Sequence, residues 1–338
     1  MSEAPPFFSV VLPTHNRAAM LRTAVKSVLA QTCRDFECFV LDDGSTDETP
    51  RVFREFNAEP ALRLMRFEDN LRQHARRNHA IRQARGRFVT FIDSDDIWLP
   101  ERLEIFKRAI AARPKAGFWF SNAYVLREGI IIGTVFDPKR AIPEGRVPGW
   151  WAVGGSFLPY LTTNLAVRRE AFAEQGYFRE DMRVLEDTEL YARMLKSGLQ
   201  VGVIREPLAV RRLHAEQITM EHRTAYRESL EALSSGGLPE SEFPAHRRKL
   251  ALTAASFMVK SINPSQARRF LGEELGARRF LAPAYWASFT PPALLRAAKA
   301  ARFSRLRRRY RPESAPPAFR ETLERIAPLL NQEKTQVR

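Results

Sequence analysis

The sequence predicts an α/β fold, with a mixed, mainly parallel sheet flanked by helices. Two observations carry that reading. Strand-like and helix-like patterns alternate over the first two hundred residues, as βαβ units do. Two of the strand-like runs then stop abruptly in carboxylates, at Asp42-Asp43 and at Asp93-Ser94-Asp95-Asp96. In a parallel sheet the carboxyl ends of the strands are where ligands bind. With 338 residues, the chain can hold one domain of roughly 200–250 residues and an appendage.

Each element has its own signal. Phe8–Leu12 is a short buried strand, and Arg17–Gln31 follows with Met20, Leu21, Ala24, Val25, Val28 and Leu29 on one helical face. Glu37–Leu41 is a second strand. Ser45-Thr46-Asp47-Glu48 reads as a capping box, opening a helix that buries Val52, Phe53 and Phe56. Leu62–Phe67 is strand-like, residues 70–85 contain a helix, and Phe88–Ile92 is the strand before the acidic cluster. Leu103, Phe106 and Ile110 mark a further helix, and 117–126 with 130–136 form a hairpin around Glu128-Gly129. Residues 137–162, rich in Pro, Gly and Trp, suit a binding loop better than a linker. Helices near 169–175 and 188–196 end at Gly176 and Gly198, as left-handed C-caps do. Short strands at 201–204 and 208–210 close a body of residues 1–219. Residues 220–338 read as helical, with turns at Gly236-Gly237 and Pro291-Pro292.

Charge separates the same two regions. Residues 1–219 hold 32 Lys and Arg against 28 Asp and Glu, whereas residues 220–338 hold 22 against 11. The start of the chain lacks the basic segment of a signal peptide, and no stretch reaches the ~18–20 apolar residues of a membrane span. Cys33 and Cys38 match no metal spacing and no disulfide framework, so a cytoplasmic setting is expected.

The cluster Asp93, Asp95 and Asp96 is the strongest chemical signal. Three negative charges at the end of an apolar strand are costly unless something positive sits among them. A hard divalent cation, Mg²⁺ or Mn²⁺, answers that need and keeps open positions for phosphates. The competing reading is a solvated acidic turn that caps the next helix. Arg77, within Arg76-Arg77-Asn78, forms a basic face suited to diphosphate oxygens or, equally, to solvent.

Taken together, these motifs resemble family 2 glycosyltransferases of the nucleotide-diphospho-sugar transferase (GT-A-like) fold. The resemblance runs from about Phe8 to Thr219. It rests on Val11-Leu12-Pro13-Thr14-His15-Asn16-Arg17, Leu41-Asp42-Asp43-Gly44-Ser45, Arg77-Asn78, Asp93-Ser94-Asp95-Asp96, Glu186-Asp187 and His214. It implies an inverting, metal-dependent transfer from a nucleotide diphospho-sugar, a UDP-sugar foremost, to a saccharide or lipid-linked saccharide. The product would belong to cell-surface polysaccharide or glycolipid. Pro13, Thr14, Asn16, Asp42, Asp43, Arg77 and Asp93 are then expected at the donor. Asp95 and Asp93, with His214 as a further ligand or phosphate contact, are expected at the metal. Asp187 is the expected base, favoured in ionised form at a helix N-terminus. Its alternative role is that of a plain helix cap. Glu186, Trp150 and Trp151 are expected at the acceptor.

A sugar-1-phosphate nucleotidyltransferase would need a Gly-rich loop where Pro13–Arg17 stands. A non-catalytic nucleic-acid-binding protein would leave the carboxylates idle, so nucleic acid is not an expected partner. Arg296–Arg311 carries eight basic residues and no acidic one, just after Phe280, Leu281, Tyr285, Trp286 and Phe289. An anionic membrane surface on the cytoplasmic side is the favoured partner for this stretch; a nucleic-acid arm and a helix docked on the body are the alternatives.

Overall fold

A computed structural model describes residues 4–149, 162–214, 221–310 and 315–336. The body comprises β1 (Phe8–Thr14), α1 (Ala18–Leu29), β2 (Phe36–Asp43), α2 (Thr49–Glu55), β3 (Leu62–Phe67), α3 (Arg72–Gln83), β4 (Phe88–Phe91), β5 (Ile97–Trp98), α4 (Arg102–Ala112), β6 (Ala116–Arg127), β7 (Ile130–Thr134), β8 (Leu165–Arg168), α5 (Glu170–Gln175), α6 (Glu186–Lys196) and β9 (Gln200–Leu213). Among the described residues the strands form one nine-stranded sheet in the order β3-β2-β1-β4-β8-β6-β9-β5, with β7 paired to β6. The β3-β2-β1-β4 half is wholly parallel. Beyond it, β8 runs antiparallel between β4 and β6, and β6 and β9 are parallel again.

Burial on both faces explains why these strands read as unbroken apolar runs. Along β1, Val11 enters one core and Val10 and Leu12 enter the other; on β2, Phe39 and Leu41 oppose Cys38 and Val40 in the same way. The register Thr14↔Asp42 brings the ends of β1 and β2 level, and Val11↔Phe91 sets β4 beside them. The acidic strand ends therefore share one edge of the sheet. Gly86 lets the chain enter β4 closely: a Cβ there would lie 2.4 Å from the Ser9 backbone nitrogen.

Three local expectations are corrected. The Ser45 capping box does not form, because the Ser45 hydroxyl accepts instead from the Asn16 backbone N–H at 2.8 Å. The helix starts at Thr49, whose N–H donates to Asp47 Oδ1 at 2.9 Å. The two short strands expected at 201–204 and 208–210 are one strand, β9. A register shift opposite Asn122 and Pro207 absorbs the intervening residues. Two strands were not expected: β8, four residues long, and β5, only two.

The C-terminal region is helical: α7 (His222–Ser235), α8 (Phe243–Lys260), α9 (Pro264–Leu275), α10 (Pro283–Ala287), α11 (Pro292–Arg309) and α12 (Pro317–Gln336). Helices α7–α9 share a core of Tyr226, Ala255, Met258, Phe270 and Leu271. Ala232 and Leu233 of α7 also join the main core beside Leu190 and Met194 of α6. Helix α12 returns to the body, where Ile326 is buried with Ile97, Leu126 and Val210. Among the described residues no helix is long and apolar enough to cross a membrane.

Candidate active site

The β1, β2 and β4 ends and the start of α6 supply the site. Asp93, Asp95 and Asp96 follow β4 in a tight turn closed by the Asp96 N–H on the Asp93 carbonyl at 2.9 Å. One carboxylate oxygen from each lies within 4.8 Å of the others. Hard oxygen donors this close fit a divalent cation. The three are not equivalent. Asp95 Oδ2 accepts from Arg17 at 2.7 Å and faces His214 Nε2 at 2.8 Å. Burial pushes the Asp95 carboxyl up, but the His214 bond and the Arg17 and Arg212 charges outweigh it and hold the group below the usual range. Asp96 accepts from the Arg212 backbone N–H at 3.0 Å, and burial together with the Asp95 and Asp93 charges raises it well above that range. Burial and the Asp95 charge raise Asp93 as well, against the pull of Arg77. Asp96 turns its carboxylate to the Arg212 backbone, which leaves Asp93 and Asp95 as the pair for a cation.

Arg77 ties this cluster to the start of α6. Its guanidinium donates to Asp93 Oδ1 at 2.7 Å and to Glu186 Oε1 at 3.1 Å, with only 2% of its side chain exposed. It lies within the site's wall, under the carboxylates, rather than on a solvated helix face. Glu186 is buried too and accepts from Gln73 at 3.0 Å, so it braces α3 against α6.

Asp187 lies in the first turn of α6 and is not its N-cap, which is Leu185. Its Oδ2 accepts from the Thr162 hydroxyl at 3.1 Å and its Oδ1 from the Thr188 N–H at 2.6 Å. Burial pushes the carboxyl up to about 6, helped by the Glu186 charge and opposed by Arg77 and the Thr188 and Thr162 bonds. A carboxylate near 6 is a competent base at neutral pH. Thr162 is the last residue of the expected binding loop, so that loop ends against Asp187. Trp150 and Trp151, expected at the acceptor, lie outside the described residues.

At the ends of β1 and β2, Asp42 Oδ1 accepts from the Ser45 N–H at 3.0 Å, which shapes the turn after β2. Asp43 Oδ1 accepts from the Leu71 N–H at 3.0 Å and from Arg76 at 2.6 Å. Thr14 Oγ1 and Asp42 Oδ2 are buried polar atoms without a protein hydrogen bond at the ends of the two adjacent strands, with the Arg66 guanidinium 3.5 Å from Asp42 Oδ2. Pro13 precedes Thr14 at that edge. Asn16 adopts a left-handed conformation (φ 51°), and its side-chain oxygen accepts from the Thr46 and Asp47 N–H groups at 2.8 and 3.3 Å. It clasps the two loops together.

Four supporting residues were given no role by the sequence. Arg17 and Arg212 flank Asp95, with Arg212 donating to the Asp95 carbonyl, and Arg76 holds Asp43. Glu228 on α7 accepts from three successive backbone N–H groups, Arg183, Val184 and Leu185, at 2.7–2.9 Å.

The family described as "Glycosyl transferase family 2" matches residues 9–182. The putative teichuronic acid biosynthesis glycosyltransferase TuaG of Bacillus subtilis is 33% identical over 215 residues, covering 63% of this chain and 81% of that one. The UDP-Glc:alpha-D-GlcNAc-diphosphoundecaprenol beta-1,3-glucosyltransferase WfgD of Escherichia coli is 30% identical over 132 residues. That match covers 39% of this chain and about half, 51%, of the enzyme's own length. Among solved structures, the mannosyltransferase PcManGT of Pyrobaculum calidifontis, in complex with GDP-Man and Mn²⁺, shares the fold with a TM-score of 0.53 at 18% identity. The likeness covers 98% of this chain and 87% of that one.

Proposed function

Because this chain belongs to glycosyltransferase family 2, we propose that it transfers a sugar with inversion from a nucleotide diphospho-sugar to a hydroxyl of a lipid-linked saccharide. The observation that carries this reading is Arg77. One buried guanidinium touches both Asp93 of the acidic cluster and Glu186, the immediate neighbour of Asp187. That link supports the reading, because it ties the acidic cluster to the segment of the proposed base at one edge of the sheet.

Asp95 and Asp93 would hold Mg²⁺ or Mn²⁺, with His214 as a further ligand or a phosphate contact. When bound, such an ion supplies Lewis-acid neutralisation of the departing diphosphate. The chain's own groups do the rest. Thr14, Asp42 and Asp43 line the nucleoside side, where the buried Thr14 Oγ1 and Asp42 Oδ2 offer hydrogen bonds to a base or ribose. Arg77 holds Asp93 and Glu186 in place. Asp187 accepts the acceptor's hydroxyl proton as the oxygen attacks the anomeric carbon, and the bond from that carbon to the diphosphate oxygen breaks. Attack opposite the leaving group turns an α-linked donor into a β-linked product.

The WfgD relative is named for UDP-Glc and a diphosphoundecaprenol-linked acceptor, which supports a UDP-sugar and a lipid-linked acceptor here. A panel of nucleotide-sugars, incubated with Mn²⁺ and with EDTA but without acceptor, tests the reading by release of nucleoside diphosphate. We expect metal-dependent release from at least one UDP-sugar. Metal-independent release, or release of a nucleoside triphosphate on adding diphosphate, contradicts it.

A further inference from the structure

Four aromatic rings pack on one another between α9 and α11; Tyr285 leans on the α7–α9 core, and the other three are about half exposed. Phe280 and Tyr285 are 5.2 Å apart, Tyr285 and Trp286 5.6 Å, and Trp286 and Phe289 6.2 Å. Yet Phe280 is 47% exposed, Trp286 60% and Phe289 55%, and the aliphatic Leu281 and Leu294 are 74% and 59% exposed. Soluble monomers seldom gather large apolar residues in one open patch without a use for it.

The surroundings of the patch are strongly basic. Arg279 lies 4.6 Å over Phe280, and Arg268 lies 4.8 Å over Phe289. From Gly276 to Tyr310 the chain carries nine basic residues and no acidic one. Helix α11, which supplies most of them, buries none of its side chains. The nearby acidic residues point their charges elsewhere: Glu273 pairs with Arg223, and Glu274 with Arg247.

We propose that this face docks on an anionic lipid surface, with Leu281, Trp286, Phe289 and Leu294 entering the headgroup boundary and the α11 cations lying along it. Aromatic rings and basic side chains together are what that boundary selects. The Trp286 indole N–H already donates to the Phe280 carbonyl at 2.8 Å, so the ring can leave water without stranding a donor. Leu281 and Leu294 decide between lipid and nucleic acid, since aliphatic side chains gain little beside phosphates and much beside acyl chains. The proposal rests on the glycosyltransferase reading only for its purpose, which is to bring the site to a lipid-linked acceptor.

Flotation of the full-length protein with vesicles of phosphatidylglycerol and phosphatidylcholine tests it, with metal-dependent release of nucleoside diphosphate measured on each preparation. We expect flotation at low salt on anionic vesicles only, weakening as salt rises. Trp286→Ser with Phe289→Ser should lower vesicle affinity at least tenfold. Arg302→Ala with Arg305→Ala should lower it about 25-fold, since each cation near the surface is worth roughly fivefold. Both double variants should release nucleoside diphosphate like the wild type, which shows that the fold is intact. Failure of an active wild-type protein to float at low salt overturns the proposal, as does wild-type flotation by the aromatic variant. Retention on RNA or DNA by a protein that ignores vesicles overturns it in favour of a nucleic-acid surface. Flotation by a protein that releases no nucleotide upholds the docking face and overturns the catalytic reading instead.

Discussion

Glu228 accepts a hydrogen bond from the backbone N–H of Leu185 at 2.7 Å, two residues before Asp187. The same carboxylate binds the N–H groups of Arg183 and Val184, so a helix beyond the sheet fixes the turn that leads into α6 and Asp187. The C-terminal region therefore shapes the segment that carries Asp187, the proposed base.

Replacing Glu228 with Gln removes the charge and one acceptor while keeping the shape. We expect turnover to fall roughly 10–100-fold through misplacement of the base, with donor affinity nearly unchanged. Stability should fall by about 1–3 kcal/mol, the cost of leaving buried N–H groups under-satisfied. Steady-state kinetics alongside a denaturant titration separates the two effects. A stability loss with unchanged kcat makes Glu228 purely structural.

Asp187→Asn should lower turnover by about 10²–10⁴-fold, the usual contribution of a positioned acid–base group. The pH dependence has a definite sign. Only the ionised carboxylate takes a proton, and burial raises this group to about 6. Activity should therefore rise with pH and level off, with an acid limb at or below 6, because a bound cation favours the ionised form. The limb should vanish in Asp187→Asn, as a pH–kcat/KM profile of both proteins will show.

Arg77→Met leaves Asp93 and Glu186 without their shared cation inside the wall of the site. Breaking a buried pair in this way costs about 3–5 kcal/mol. Arg77→Lys should not rescue the protein, since one ammonium cannot reproduce a fork that reaches two carboxylates. Thermal unfolding of both variants checks this; a Lys variant as stable as the wild type would show that charge alone suffices.

Ile326→Ala should destabilise the body itself by about 2–4 kcal/mol, as loss of a buried Ile does. Ile326 packs on Ile97 and Val210, and near the end of the same helix Glu333 accepts from Thr23 at 3.1 Å and from Arg212 at 2.6 Å. The end of the chain is thus a docked element, and cutting the tail at Arg296 would remove it. Chemical denaturation of the point variant, followed by far-ultraviolet circular dichroism, is the measurement.

What could be read in the sequence was local. An apolar run ending in Asp42-Asp43, and another ending in Asp93–Asp96, declare strand ends and charge crowding within a few residues. The Glu128-Gly129 hairpin was equally visible, and both residues do adopt positive φ. The partners that set each carboxylate's behaviour were not visible, because they arrive through space. Arg17 reaches Asp95 across 78 residues, and Arg76 reaches Asp43 across 33. The Ser45 cap failed for the same reason: Asn16, 29 residues earlier, claims its hydroxyl. Glu228 carried no signal, since a lone Glu on an amphipathic helix looks like any solvated one.

In the proposed mechanism Asp95 and Asp93 hold a divalent cation that binds the donor's diphosphate. Isothermal titration of UDP into the wild-type and Asp95→Ala proteins, each with Mn²⁺ and with EDTA, tests it most directly. The wild type should bind UDP measurably only with Mn²⁺, and Asp95→Ala should lose that dependence while its thermal unfolding remains cooperative. Undiminished Mn²⁺-dependent binding of UDP by a folded Asp95→Ala protein would rule out Asp95 as a ligand of that cation.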